Sequence, residues 1–148
     1  MKGQNMNMFY LSAMVAIVGA VGYQYFVKQV PAAINPIVSV IGMYVAVLVI
    51  SIFLLPLFPS DGGLWAHFKQ LNWIQIALAI AVLMIEIGFL LMYRAGWNLS
   101  TGNVVTGVFV NTILVGIGII VLKETVSFVN IIGIILSIIG VALISIRS

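Results

Sequence analysis

WIQIALAIAVLMIEIGFLLMY, residues 73–93, decides the fold. Twenty of its twenty-one residues are uncharged and nearly all are apolar, with no polar stripe at helical spacing of the kind a soluble surface helix needs. At about 1.5 Å per residue the stretch reaches roughly 30 Å, the thickness of a bilayer's hydrocarbon core. It reads as a transmembrane helix, and the breakers on either side mark off four more. One runs from about Met8 to Val27 and stops at Lys28 and Pro31. The next, residues 36–55, opens at Asn35-Pro36, a cap followed by proline at the first helical position. Beyond the Arg94–Gly102 turn the reading gives a helix over 103–122, then a tight reversal at Lys123-Glu124-Thr125, then a last helix over 126–146. The longest link carries Pro56, Pro59, Asp61 and Gly62-Gly63, followed by Leu64, Trp65, Phe68 and Leu71 beside His67, Lys69 and Gln70. That spacing predicts a short amphipathic turn at headgroup level. Trp65, Trp73, Trp97 and Tyr93 all fall near expected interfaces, as an aromatic belt requires.

Composition agrees with an all-α membrane protein of five transmembrane helices in a single domain. Apolar residues make up 64% of the chain, charged residues 6%, and the mean hydropathy is +1.29, whereas soluble domains are about one quarter charged. Five spans with short turns use all 148 residues, so no room remains for a soluble domain. The N-terminal MKGQNMNMFY has the charge of a signal peptide, but the apolar stretch after it is span-length and lacks a small-residue cleavage site, so it reads as the first helix. Without cysteine, and with His67 as its one histidine, the chain offers no disulfide, thiolate or histidine-cluster metal site, and no cofactor is expected. No nucleophile-and-base constellation appears within the spans, which argues against an enzyme. The pI near 9.5 comes from six scattered cations and gives no support to nucleic-acid binding.

Those cations are spread evenly. The five-helix reading puts Lys2, Lys69 and Lys123 on the face of the N-terminus and Lys28, Arg94 and Arg147 on the other. Orientation follows an excess of Lys and Arg in cytoplasmic loops, and here neither face has one. The expectation is dual topology, in the cell membrane of a bacterium or archaeon. Two oppositely oriented copies of an odd-numbered helix set form an inverted-repeat pair, an architecture common among secondary transporters.

Glu86 is the single acidic residue within a span. It lies about seven residues from the Tyr93 end, roughly 10 Å below that interface and too deep for its side chain to reach water. An ionised carboxylate near mid-span costs about 2.5–3.5 kcal/mol, so Glu86 is expected to face protein or a watery cavity and to bind and release protons. A structural carboxyl, or one paired with Arg94, is the plainer alternative. On the next helix Asn103, Gly107 and Asn111 follow at i, i+4 and i+8, and Asn111 falls within about one turn of the depth of Glu86. The pair is a candidate proton or substrate site, although Asn111 alone reads equally well as interhelical glue. Tyr23, Gln24, Tyr44 and Tyr93 are candidates to line the same space, with ordinary packing as the alternative for each. On the last helix Gly133, Ser137 and Gly140 bring small residues to one side, predicting a close helix contact and a dimer interface.

VLKETVSFVNIIGIILSIIGVALI, residues 121–144, resembles the end of one EamA-type repeat of the drug/metabolite transporter superfamily: a short acidic turn after the fourth helix, a serine soon after, then a glycine-rich closing helix. The resemblance extends over Trp73–Ile146, about half of the chain, and a five-helix count fits one repeat. Most members fuse two repeats into a ten-helix carrier, so the resemblance implies that this chain pairs with itself to rebuild the whole. The related small multidrug resistance proteins do so with four-helix chains of dual topology and a membrane-embedded glutamate in their first helix. Here the glutamate is in the third, and its role does not carry over. The expected function is a secondary transporter, an antiparallel homodimer exchanging protons for a small-molecule substrate. An accessory subunit of a heteromeric complex is the alternative. A passive channel is disfavoured, because one carboxyl and no repeated ring of polar residues make no filter.

Overall fold

Among the described residues all regular secondary structure is helical. The computed structural model describes residues 2–59, 62–125 and 127–145. In order come α1 (Lys2–Gln29), α2 (Pro36–Leu54) with a 3₁₀ turn at Leu55–Leu57, α3 (Leu64–Phe68), α4 (Trp73–Arg94), α5 (Leu99–Ile120) and α6 (Phe128–Ser145). Four of these are long and apolar enough to cross a membrane: Met8–Gln29 within α1, Pro36–Leu57, α4 and α5. The expected fifth span falls on α6, which has only a shorter apolar stretch, Phe128–Ile144, so four spans and not five meet that length among the described residues. The expected ends of that helix, Val126 and Ile146, lie outside the described residues, as do Asp61 and the expected face cation Arg147.

Local chemistry explains most helix ends. Asn35 Oδ1 accepts from the backbone N–H groups of Ile37 at 2.9 Å and Val38 at 3.4 Å, with Pro36 behind it, so α2 starts where the sequence places it. A second cap opens α4: Asn72 Oδ1 accepts from Ile74 N, while Gln75 Oε1 accepts from Asn72 N in return, each bond under 3 Å. Gly96 at φ 97° turns the chain sharply after α4, in a conformation that side chains beyond glycine rarely adopt. The turn is then complete by Asn98. Helix α5 therefore begins at Leu99, about a turn earlier than the expected Asn103, because nothing between Leu99 and Gly102 obstructs a helix. Helix α1 likewise starts at Lys2, about six residues before the expected start at Met8.

The chain divides into two compact units. One comprises α1 through Tyr25 together with the chain from Ala95 onward, and in it α5 packs on α6. The other comprises Phe26–Arg94, and in it α2 packs on α4. Only Val40, Leu90, Tyr93 and Val141 are buried apolar residues among those described, while most Ile, Val, Leu and Phe side chains on the long helices are exposed. A soluble protein built this way would present an apolar surface to water, whereas a bilayer solvates it. Trp65 on α3 and Trp73 at the start of α4 are both 73% exposed, as belt residues are.

Candidate functional site

In the Phe26–Arg94 unit a carboxyl is buried where two spans meet. Glu86 lies near the middle of α4 and is 8% exposed, on the same stripe as Leu90 and Tyr93 at i+4 and i+7. Tyr44 of α2 lies within electrostatic reach of it. The Tyr44 hydroxyl is buried and has no hydrogen-bond partner among the described residues. A phenol that gives up its water at this depth without a partner is costly, so it marks a place where a ligand, water or a changed rotamer would supply one. The structure thus brings together three residues singled out from the sequence: Glu86, Tyr44 and, along the same stripe, Tyr93.

Around this group the helix faces differ. Below Glu86, toward the start of α4, a trough of about 500 Å³ runs between α2 and α4, lined by Tyr44, Gln75, Leu78, Ala79, Val82 and Leu83. Above it, the Tyr93 ring stacks on Phe89 with centroids 6.1 Å apart, and Lys28 Nζ lies 5.8 Å from the Tyr93 centroid. Arg94 donates from Nη2 to the carbonyls of Ile34 at 2.7 Å and Pro31 at 3.3 Å. Its Nη2 is therefore tied to the α1–α2 loop, while its Nε is buried with no hydrogen-bond partner among the described residues. No local pattern announces this tie, because the carbonyls lie some sixty residues away.

The remaining candidates belong to the other unit. Gln24 is buried and lines a cavity of about 660 Å³ with Asn98, Ser100 and Asn103, so Asn103 has polar company at the start of α5. Tyr23 is half-buried on α1 beside it in sequence. Asn111 and Thr112 line a groove of about 420 Å³ with Asn130, Gly133 and Ser137 of α6. Thr112 donates its hydroxyl to Val108 O and Ser137 donates to Gly133 O, both back onto their own helices. A Cβ built on Gly133 or Gly140 would meet nothing within 4 Å, so neither glycine serves a close contact inside the described chain. Gly118 is different: its Cβ would come within 2.7 Å of Glu124 Oε2. Glu124 N also donates to Gly118 O at 2.9 Å, and Lys123 takes φ 54° to make the reversal. The acidic turn is docked on the end of α5, a pairing the sequence reading missed.

Helices apolar on their outer surface, with a buried carboxyl between two of them, define a multi-pass α-helical membrane protein. The EamA-like transporter family, of the drug/metabolite transporter superfamily, matches residues 7–146, and the chain belongs to it. Its class is thereby a membrane transporter. No curated protein and no solved structure matches the chain.

Proposed function

We propose that this protein is a secondary active transporter that exchanges protons for a small organic solute, working as an antiparallel homodimer of five-span chains. The observation that carries this reading is Glu86: a carboxyl 8% exposed, near the middle of a span, beside a phenol with no hydrogen-bond partner. Ionisable groups at that depth mark proton or substrate paths. Protonated, Glu86 is neutral and at ease in its surroundings; ionised, it attracts a cationic or polar solute in its place. Competition of proton and solute for one carboxyl couples their movements, and alternating exposure of the site to either face makes the exchange directional.

Three observations support the assembly. The six cations divide evenly between the faces of a five-span reading, which favours insertion in both orientations. Gly133, Ser137 and Gly140 form a small-residue face on α6 with open space above both glycines. Asn111, near mid-span, opens into the groove beside that face, where a second copy's helix would give its amide a partner. In this reading α6 is the fifth span and the membrane is the cell membrane of a bacterium or archaeon.

Solute-driven proton release from the purified chain is the test. A panel of small amines and amino acids is added to weakly buffered protein in detergent, and pH is followed. The reading expects release on adding at least one solute, and none from Glu86→Gln. Release that is identical in the variant would move the coupling to another group, and no release across the panel would favour an accessory subunit.

A further inference from the structure

Tyr44 and Glu86 lie on facing helices at nearly one depth. The bond from Arg94 to the Ile34 carbonyl fixes the end of α4 beside the start of α2, so the two helices run antiparallel from it. Tyr44 is then roughly 15 Å in along α2 and Glu86 roughly 12 Å in along α4. The Tyr44 side chain lines the trough together with Val82 and Leu83, which precede Glu86 by one turn of α4. Its hydroxyl is buried without a hydrogen-bond partner among the described residues, with the carboxyl within electrostatic reach. What that hydroxyl lacks is an acceptor strong enough to turn it. A protonated carboxyl offers a neutral carbonyl, whereas a carboxylate accepts a bond about twice as strong, and near the middle of a span no bulk water competes for it.

We propose that Tyr44 is the positioning donor for Glu86: its hydroxyl turns onto the carboxylate when the proton leaves and lets go when the proton returns. No proton passes between them. Tyr44 keeps its own throughout, and Glu86 alone gains or loses one. The other charged and titratable groups of these helices act elsewhere. Tyr44 is the one such residue of α2, and on α4 Tyr93 lies two turns along from Glu86 with Lys28 over its ring, while Arg94 bonds the Ile34 and Pro31 carbonyls at the helix end. The bond holds the carboxylate toward α2 and favours the ionised form, the one that accepts a solute. Both partners belong to one chain, so the device works alike in either orientation and in each copy. The proposal rests on Glu86 as the proton site, and its test tells the two apart.

Infrared difference spectra between acid and alkaline buffer, taken on the purified full-length chain with its tyrosine rings isotopically labelled, read both groups at once. The Glu86 carboxyl band is the part missing from Glu86→Gln, and the Tyr44 band the part missing from Tyr44→Phe. In the parent the carboxyl band is expected to disappear as pH rises and the Tyr44 band to shift with the same midpoint. In Glu86→Gln the Tyr44 shift is expected to vanish. In Tyr44→Phe, which keeps the ring, the carboxyl is expected to hold its proton about tenfold more tightly, as the loss of one hydrogen bond to the charged form implies. A Glu86 band that titrates while Tyr44 stays still would overturn the donor role and leave the coupling reading standing. An unchanged midpoint in Tyr44→Phe, or a Tyr44 shift that survives in Glu86→Gln, would do the same. A Glu86 band that never changes while the protein stays folded would overturn both.

Discussion

Glu86 and Tyr44 illustrate how little chemistry a mid-membrane site needs. One carboxyl between two helices, with a hydroxyl near it, makes up the ionisable groups near the centre of the Phe26–Arg94 unit among the described residues. If Glu86 couples the proton, Glu86→Gln should abolish pH-gradient-driven solute flux in proteoliposomes, by more than about tenfold, while leaving the folded fraction unchanged, since the amide keeps the shape and loses the titration. Wild-type flux with the wild-type pH profile in that variant would make Glu86 a structural residue. Glu86→Asp should keep flux but move its pH dependence, because the shorter side chain withdraws the carboxyl from its present neighbours. Tyr44→Phe separates the hydroxyl from the ring. It should fold at least as well as the parent, since an unpartnered buried hydroxyl is a cost, and it should weaken solute binding if that hydroxyl meets the solute. Unchanged binding in Tyr44→Phe would leave the phenol as packing.

Between helices the informative feature is which glycines touch something. Gly118 lies under the Glu124 carboxylate, whereas Gly133 and Gly140 face open space. Gly118→Ala should therefore destabilise the chain by about 1 kcal/mol or less, because the end of a flexible glutamate can swing aside, and Glu124→Ala should remove even that cost. A thermal melt of the two single variants and the double checks it; equal losses in Gly118→Ala with and without Glu124 would assign the effect to α5 itself. Gly133→Leu and Gly140→Leu should leave the isolated fold intact and weaken dimerisation, since bulk at a close helix contact parts the backbones. Dimers of unchanged stability in both would place the interface on another helix.

The same contrast shows what the sequence could convey. The four long spans were legible because hydropathy and breakers are local signals, and the Asn35-Pro36 cap put the start of α2 within reach. The start of α5 was misplaced because a turn rich in Gly, Asn, Ser and Thr looks longer than it is, when Gly96 alone turns the chain and Ser and Thr are tolerated in a first helical turn. Glu86 announced itself by being out of place in an apolar helix. Its neighbourhood did not: that Tyr44 lies near it, that Arg94 ties a distant loop and that Glu124 docks on Gly118 are pairings of residues far apart in sequence or one turn around a reversal, and no periodicity encodes them. Asn111, expected near the depth of Glu86, lines a groove with α6 residues in the other unit, a pairing that hydropathy does not encode.

At the scale of the whole molecule, the proposed second copy rests on two features: Gly133 and Gly140, where an added Cβ would meet nothing within 4 Å, and six cations that divide evenly between the faces of the five-span reading. Two extra Lys at the N-terminus, or two after Arg147, should each commit the chain to one topology, because either change creates the excess that its loops lack. A reporter fused to the C-terminus should appear on both sides of the membrane in the parent and on one side in each variant. The account's central claim is that oppositely inserted copies build one carrier, and co-expression tests it most directly. Proton-coupled flux is measured in vesicles from cells making the first variant, the second, or both, using a solute that releases protons from the purified chain. The account predicts no flux from either alone and restored flux from the pair; full flux from one variant by itself would contradict it.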